Sequence, residues 1–410
     1  MKTKILKPLL AMACLLSSIN VSAYDFEVDG IYYDVVSISN LTCKVVQGDI
    51  KYSGDVIIPA HVNYANKSLT VVEIADRLFY CKSETESELT GITIPNTITS
   101  ISNNMFRNCT KLERVTIEDG ENVLDLGFNE GYYSGDYYRG LFRDSPITSL
   151  YLGRNLSYKL SSTSPSPFYM IRTLKEVTIG NSVTEIGDEA FSACSGLTSV
   201  TIGNSVTKIG RNAFQNCSGL TSVTIPNSVI EIGDCAFRYC SGLTSVTIPN
   251  SVTEIGGCAF YDCSGLTSIT IGNSVTKIGD WVFSSCSGLT SITIPNSVTE
   301  IGWMAFCDCT ALTALYILNT TPPTIEEKCF ETKQYMTLNV FVPHEALPAY
   351  QSAVGWKDLW NLQGFDPTGI DNVKNDILNG NSKCYDLRGN RLSAPKRGLN
   401  IINGKKVIVK

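Results

Sequence analysis

The chain has 410 residues, a formal net charge of -6, 43% hydrophobic and 18% charged residues. That length exceeds what one ordinary compact core serves, so the sequence predicts several domains or an elongated repeat architecture. The acidic balance, with no basic domain, excludes a general affinity for nucleic acid. Only two histidines are present, His61 and His344, and there is no GxSxG, HExxH, phosphate-loop or dinucleotide fingerprint. The sequence therefore predicts no catalytic residues, no enzyme, no cofactor and no metal.

Residues 1–23 read as an export signal. Lys2, Lys4 and Lys7 precede an apolar stretch, Leu9 to Ile19, that is too short to span a bilayer, and Val21-Ser22-Ala23 offers small residues for cleavage after Ala23. Cys14 raises a lipoprotein signal as the alternative, but Ala11-Met12-Ala13 lacks the usual leucine three positions before the cysteine. No later segment reaches the roughly 20 apolar residues of a membrane helix, so no integral membrane segment is expected after cleavage. Residues 24–55 alternate as Phe26-Glu27-Val28 and Ile31 to Val36, which suits a strand hairpin capping the amino end.

Residues 56–343 repeat. A loose unit runs from Val56-Ile57-Ile58-Pro59 to Leu78-Phe79, and a clear one from Leu89 to Thr110. The unit from Leu112 is stretched to 35 residues with its aromatic pair at Leu141-Phe142, and that from Ile147 to 27 residues with Pro167-Phe168. From Leu174 the period is 23 residues, with leucines at Leu197, Leu220, Leu243, Leu266, Leu289 and Leu312. Such self-similarity means stacked units whose apolar faces are buried only by their neighbours. Within a unit, numbered from its leucine as position 1, Leu-Thr-Ser-Val-Thr-Ile alternates as a half-buried strand does. A Pro-Asn or Gly-Asn turn follows, then a short Val-Thr-Glu-Ile alternation, a glycine, and an Ala-Phe stretch long enough for one helical turn. About eleven coils at roughly 4.8 Å each would form a stack on the order of 50 Å long.

These residues resemble the BspA-like family of bacterial surface leucine-rich repeat proteins, in which the strand, Pro-Asn turn, Ile-Gly, Ala-Phe and terminal cysteine recur in register. The resemblance covers about residues 25 to 362. It implies an α/β leucine-rich repeat solenoid with a parallel β-sheet on one face, short helical or irregular turns, a strand-rich N-terminal cap and a helical C-terminal cap. It also implies export or surface display, with adhesion to host matrix or other cells as the function of some members. The two lengthened coils are where this chain is individual.

At the carboxyl side, 344–365 carry Leu347, Tyr350, Val354, Trp356 and Trp360 in an aromatic, helix-compatible cap. Residues 366–383 read as a polar linker. The tail, 384–410, places Asn403-Gly404 between two short apolar strands, a favoured hairpin. It resembles the end of the carboxy-terminal sorting domains of the type IX secretion route, without the rest of such a domain; a small docked or free hairpin is the alternative.

Four features of the sequence are candidate sites. Cys109, Cys194, Cys217, Cys240, Cys263, Cys286 and Cys309 share position 21 and read as a buried ladder of free thiols. Position 12 holds Glu185, Lys208, Glu231, Glu254, Lys277 and Glu300, a register and solubility feature. The sheet face offers paired Ser and Thr, such as Ser222 with Thr224 and Ser245 with Thr247. The insertion in the 35-residue unit gathers Tyr132, Tyr133, Tyr137, Tyr138 and Arg139 among Gly, Ser and Asp, the composition binding loops use, and these five are the predicted ligand-binding residues. The alternative is that the tyrosines fold back over Phe128. The expected function is an exported or cell-surface, adhesin-like binding protein whose partner is an extracellular or host protein, or a glycan. A structural surface-layer or assembly protein and a carbohydrate-capturing accessory protein are the alternatives.

Overall fold

The computed structural model describes residues 24–367, apart from 83–86, 103–104, 127–140, 143, 161–165 and 327, and in the tail the strands 384–385, 391–392, 398–402 and 405–409. The predicted signal peptide and most of the predicted linker lie outside the described residues.

The strand Phe26–Val28 pairs antiparallel with Ile31–Ser37, which pairs antiparallel with Thr42–Val46. The sheet does not stop at this meander. Lys67–Ile74 joins Thr42–Val46 in parallel, and His61–Tyr64 closes the edge. Part of the first coil is thus drawn into the amino-terminal sheet, which places Tyr33 and Val45 in the core at 0% exposure.

Gly54–Ile57 begins the stack. It pairs in parallel with Leu89–Ile94, and Arg114–Ile117, Ser149–Leu152, Glu176–Ile179 and Ser199–Thr201 follow in order. Ser222–Thr224, Ser245–Thr247 and Ser268–Thr270 form the next run, and Ser291–Ile294, Ala314–Ile317, Asn339–Pro343 and Asn361–Phe365 the last. The second alternation in each coil also forms a parallel ladder, of two-residue strands from Glu185–Ile186 to Thr324–Ile325. Register is set by identical residues facing one another: Val223 lies opposite Val246, and Ile232 opposite Ile255. Each coil buries its apolar set against copies of itself.

The Ala-Phe stretch is not a helical turn. Positions 16 and 20 of the regular coils take left-handed backbone, as at Glu189 (φ 58), Ala193 (φ 61), Cys235 (φ 56) and Tyr239 (φ 62), and a helix cannot pass through such residues. Alternate N–H groups instead donate to the next coil: Glu189 N to Arg211 O at 2.7 Å, Phe191 N to Ala213 O at 2.8 Å and Ala193 N to Gln215 O at 2.7 Å. These bonds satisfy the turn backbone and offset its strain. The glycine at position 23 of most regular coils allows a close approach, since a Cβ on Gly219 would lie 2.7 Å from the Ser195 carbonyl oxygen of the preceding coil; Ala311 holds that position in the unit from Leu289.

Eleven phenylalanines stack through the core from Phe79 to Phe330, with centroids 4.9 to 5.9 Å apart. The column passes unbroken through Phe142 and Phe168, so both lengthened coils return to register at their aromatic turn. In the interval between them Arg154, fully buried, donates to the carbonyls of Pro95, Asn96 and Ile98 and ties the turn of the 27-residue coil to a coil two steps earlier.

At the carboxyl end the helices are Thr332–Thr337 and Leu347–Ser352. Trp356, fully buried, donates from Nε1 to Pro323 O at 2.7 Å, and Tyr350 donates from its hydroxyl to Asn319 O at 3.1 Å. Trp356 and Tyr335 meet Phe330, the last phenylalanine of the column, edge-on at centroid distances of 6.5 and 5.9 Å, and Tyr350 packs on Trp356. In the tail, Gly398–Ile402 and Lys405–Val409 form the expected hairpin, and Cys384–Tyr385 and Arg391–Leu392 extend it to a four-stranded antiparallel sheet.

Candidate binding surface

The interior positions have defined structural work. Each thiol of the position-21 ladder donates to the carbonyl of the phenylalanine one coil back: Cys217 to Phe191 O at 3.2 Å, Cys240 to Phe214 O at 3.1 Å, Cys263 to Phe237 O at 3.2 Å. All are free and buried. Burial pushes these thiols well above the ordinary cysteine range, with the neighbouring ladder thiol adding to it. The threonines at positions 2 and 11 are likewise committed, Thr244 Oγ1 to Thr221 O at 3.3 Å and Thr207 Oγ1 to Thr184 O at 3.1 Å.

The position-12 charges face one another across the short ladder. Lys208 pairs with Glu231 at 3.2 Å and Lys277 with Glu300, but Glu231 also lies opposite Glu254. These side chains are exposed, so each pair adds at most about 1 kcal/mol. The ladder is a register feature.

Among the described residues, two outward surfaces on the coils offer groups not committed to this structural work. On the strand face, Ser222, Thr224, Ser245, Thr247 and Thr270, with Asn227, Asn250 and Asn273 from the turns, line a shallow depression of about 620 Å³. Its hydroxyls and amides offer donors and acceptors without charge.

The second surface lies on the outside of the aromatic turn, and sequence reasoning missed it. Tyr239, Tyr261, Trp281 and Trp303 sit on four successive coils at positions 20, 19, 16 and 15. Their rings form a continuous edge-to-face chain, with centroids 5.6, 6.0 and 4.8 Å apart. Trp303 is 37% exposed, and the other three are half-buried. Arg238 closes one end, its guanidinium carbon 4.6 Å from the Tyr239 ring centre and 4.9 Å from that of Tyr261. Asp280 fixes the other end, its Oδ1 accepting the Trp303 backbone N–H at 2.8 Å. The signal that could have found this stripe was the set of departures inside otherwise near-identical units: positions 15, 16, 19 and 20 vary from coil to coil while 17, 18 and 21 barely change.

The predicted ligand residues Tyr132, Tyr133, Tyr137, Tyr138 and Arg139 lie outside the described residues. The chain on either side is placed: Leu126 and Leu141 are buried, and Phe142 is in the aromatic column. In sequence the insertion falls between the second strand and the aromatic pair, the place that positions 15 and 16 hold in regular coils. The ligating atoms of Cys307, Asp308 and Glu331 come within 4.8 Å of one another at the surface beyond Trp303. Its bonded neighbour Asp308 raises the Glu331 carboxyl above its ordinary pKa.

No helix of the described residues is long and apolar enough to cross a membrane. Comparison with curated proteins gives no match. Among solved structures, the chain is similar to a leucine-rich repeat protein from Bacteroides ovatus, at 22% identity over 84% of this chain and 100% of that one with a TM-score of 0.37. It is similar to a T. pallidum leucine rich repeat protein at 19% identity, covering 69% and 87% of the two chains with a TM-score of 0.35. A leucine rich cell surface protein from Faecalibacterium prausnitzii is 24% identical over 84% and 95%, with a TM-score of 0.29. The pattern of the BspA type leucine rich repeat region occurs in 6 copies, over residues 61–129, 137–221 and 207–337, and because these span more than half of the chain, the protein belongs to that family.

Proposed function

We propose that this protein is exported, or held at the cell surface, and acts there without catalysis as an adhesin-like receptor for another protein. It engages that partner through the outer turn face of its solenoid. In this reading residues 1–23 direct export, 24–55 and 344–365 cap a solenoid of 56–343, and the tail 384–410 serves sorting or attachment.

One observation carries the reading. Trp281 (φ 59) and Tyr239 (φ 62) are bulky aromatic residues held in left-handed backbone, at places where another coil uses Asn212 or Asn216. A bulky side chain there costs about 1–2 kcal/mol that asparagine or glycine largely avoids. Folding does not call for these rings, since the core is already closed by Phe237 and Phe283 beneath them. Partly exposed Trp, Tyr and Arg in a cluster are the residue types that dominate protein interfaces. The edge-to-face order of the rings gives a ridged surface suited to inserted side chains rather than a flat platform for sugar stacking. In sequence the Tyr132 to Arg139 insertion falls at the same unit positions, which makes it a second candidate for partner contact in this reading.

A glycan ligand is the second reading, and what favours it is the hydroxyl and amide lining of the strand-face depression. The full chain, its Trp281→Asn/Trp303→Ser double variant and its Ser222→Ala/Thr247→Val double variant should be tested by pull-down against extracellular-matrix proteins and on a glycan array. A protein partner retained by the parent and strand-face variant but lost by the tryptophan variant supports the turn face. Glycan binding abolished only by the strand-face variant replaces it with the second reading. Cell fractionation that leaves the mature chain in the cytoplasm overturns the proposal altogether.

A further inference from the structure

Cys235 and Cys258 stand apart from the other eleven free cysteines of the described residues. They occupy position 16 in adjacent coils, both with φ of 56°, and both are half-buried rather than enclosed. Hydrogen bonds hold the two coils in register on either side: Cys235 N donates to Gly257 O and Tyr239 N to Tyr261 O, each at 2.8 Å. The two cysteines therefore face each other one coil step apart, about 4.8 Å for parallel strands. That step lies inside the roughly 4.4–6.8 Å range of Cα separations that a disulfide spans.

The core ladder has the same step but a different setting. Its thiols are fixed as donors to phenylalanine carbonyls and are closed off from any reagent. Parallel side chains must rotate away from each other to reach the dihedral angle a disulfide prefers, and a packed column resists that rotation. The outer turn permits it. There the Cys235 thiol lies close enough to Cys258 to act on its ionisation. Burial and then the Cys235 thiol push the Cys258 thiol up to about 11, while the Arg238 guanidinium beside it pulls the other way and favours the thiolate. Cys307, the remaining half-buried thiol, meets Ser284 at the same position of the preceding coil and so has no cysteine to join.

We propose that Cys235 and Cys258 are a modification site at which an external disulfide oxidant closes an inter-coil disulfide across the two turns that carry Tyr239 and Tyr261. One cysteine thiolate attacks a sulfur of the oxidant, giving a mixed disulfide and releasing one thiolate. The second attacks the protein sulfur of that mixed disulfide, forming the Sγ–Sγ bond and releasing the other half of the oxidant. Two electrons pass to the oxidant, and the two protons end on its thiols. The bond would fix the first two rings of the aromatic stripe. Its setting in the cell rests on the export reading, whereas its chemistry is read on the purified protein.

The test treats the folded full-length protein with oxidised glutathione, then denatures, alkylates and digests it for mass spectrometry. A Cys235–Cys258 cross-link is expected, with Cys194, Cys217, Cys240, Cys263 and Cys286 all alkylated as free thiols. In Cys235→Ser, Cys258 should instead be trapped as its glutathione adduct. Recovery of both thiols free or singly glutathionylated in the parent overturns the proposal, as does a bridge from Cys258 to a ladder cysteine. Oxidised parent should also melt above an identically treated Cys235→Ser/Cys258→Ser variant; equal melting temperatures count against a closed bridge. A missing partner in the pull-down would leave this result standing, and a failed cross-link would leave the turn-face proposal standing.

Discussion

The turns Cys235 to Cys240 and Trp281 to Cys286 follow the same backbone path, yet their two sides obey opposite rules. Inward, Phe237 and Cys240 are repeated by Phe283 and Cys286, and Ala236 changes only to the apolar Val282, all fully buried. Outward, Cys235 and Tyr239 are replaced by Trp281 and Ser285. An inward side chain touches its copies above and below, so a change in one coil leaves a void or a clash in two others. An outward one is constrained only by its own left-handed backbone. In a stack of repeats the sites able to specialise are therefore the outer turn positions and the insertions made there, and that is where this chain is individual.

The largest effect should come from removing the cover of the column. Deleting Gln351 to Leu362 strips Trp356 and the start of the last strand, Asn361–Phe365, from the final coil. Loss of cooperative unfolding in the carboxyl coils is expected by denaturation and calorimetry, beyond any single substitution. Deleting Cys384 to Lys410 should change the melting curve little. Equal loss in the two truncations would make the tail part of the core.

Within the column, Phe237→Ala removes a ring stacked on both Phe214 and Phe260 and should cost about 3–5 kcal/mol by urea unfolding. A cost below about 1 kcal/mol would mean that inner and outer positions do not differ as described.

A smaller inner effect is expected at the thiols. Cys240→Ala leaves the Phe214 carbonyl with the Cys217 N–H as its remaining donor and opens a small void, for about 1–2 kcal/mol. Because burial raises the ladder pKa values, the thiolate fraction stays negligible, and iodoacetamide at pH 8 should leave Cys217, Cys240 and Cys263 unmodified in the native protein while slowly labelling Cys307. Even labelling of all cysteines would show that the turns open.

The smallest stability change belongs to the outer face. Trp281→Asn exchanges two ring contacts for relief of left-handed strain and should move stability by no more than about 1 kcal/mol in either direction, while weakening a turn-face partner by about 2 kcal/mol, roughly thirtyfold. Replacing Tyr132, Tyr133, Tyr137 and Tyr138 together with serine should likewise leave the melting curve unchanged and abolish binding. Unfolding of either variant would assign those rings to packing, and unchanged binding would return the strand face as the better candidate.

The sequence by itself determined the solenoid, its period, the buried cysteine ladder and the coils that are lengthened, because a residue stacked on its own copies must recur in register to be buried at all. Tertiary structure alone decided three other matters. The Ala-Phe stretch became a left-handed turn rather than a helical one, since its N–H groups find acceptors 22 residues on, and no local propensity reports such partners. Lys67–Ile74 left the first coil for the amino-terminal sheet because Thr42–Val46 offered it an open edge. The aromatic stripe is scattered over positions 20, 19, 16 and 15 of four different units, so a reading by repeat position disperses it. Stacking brings it together, by setting each coil one strand spacing from the next.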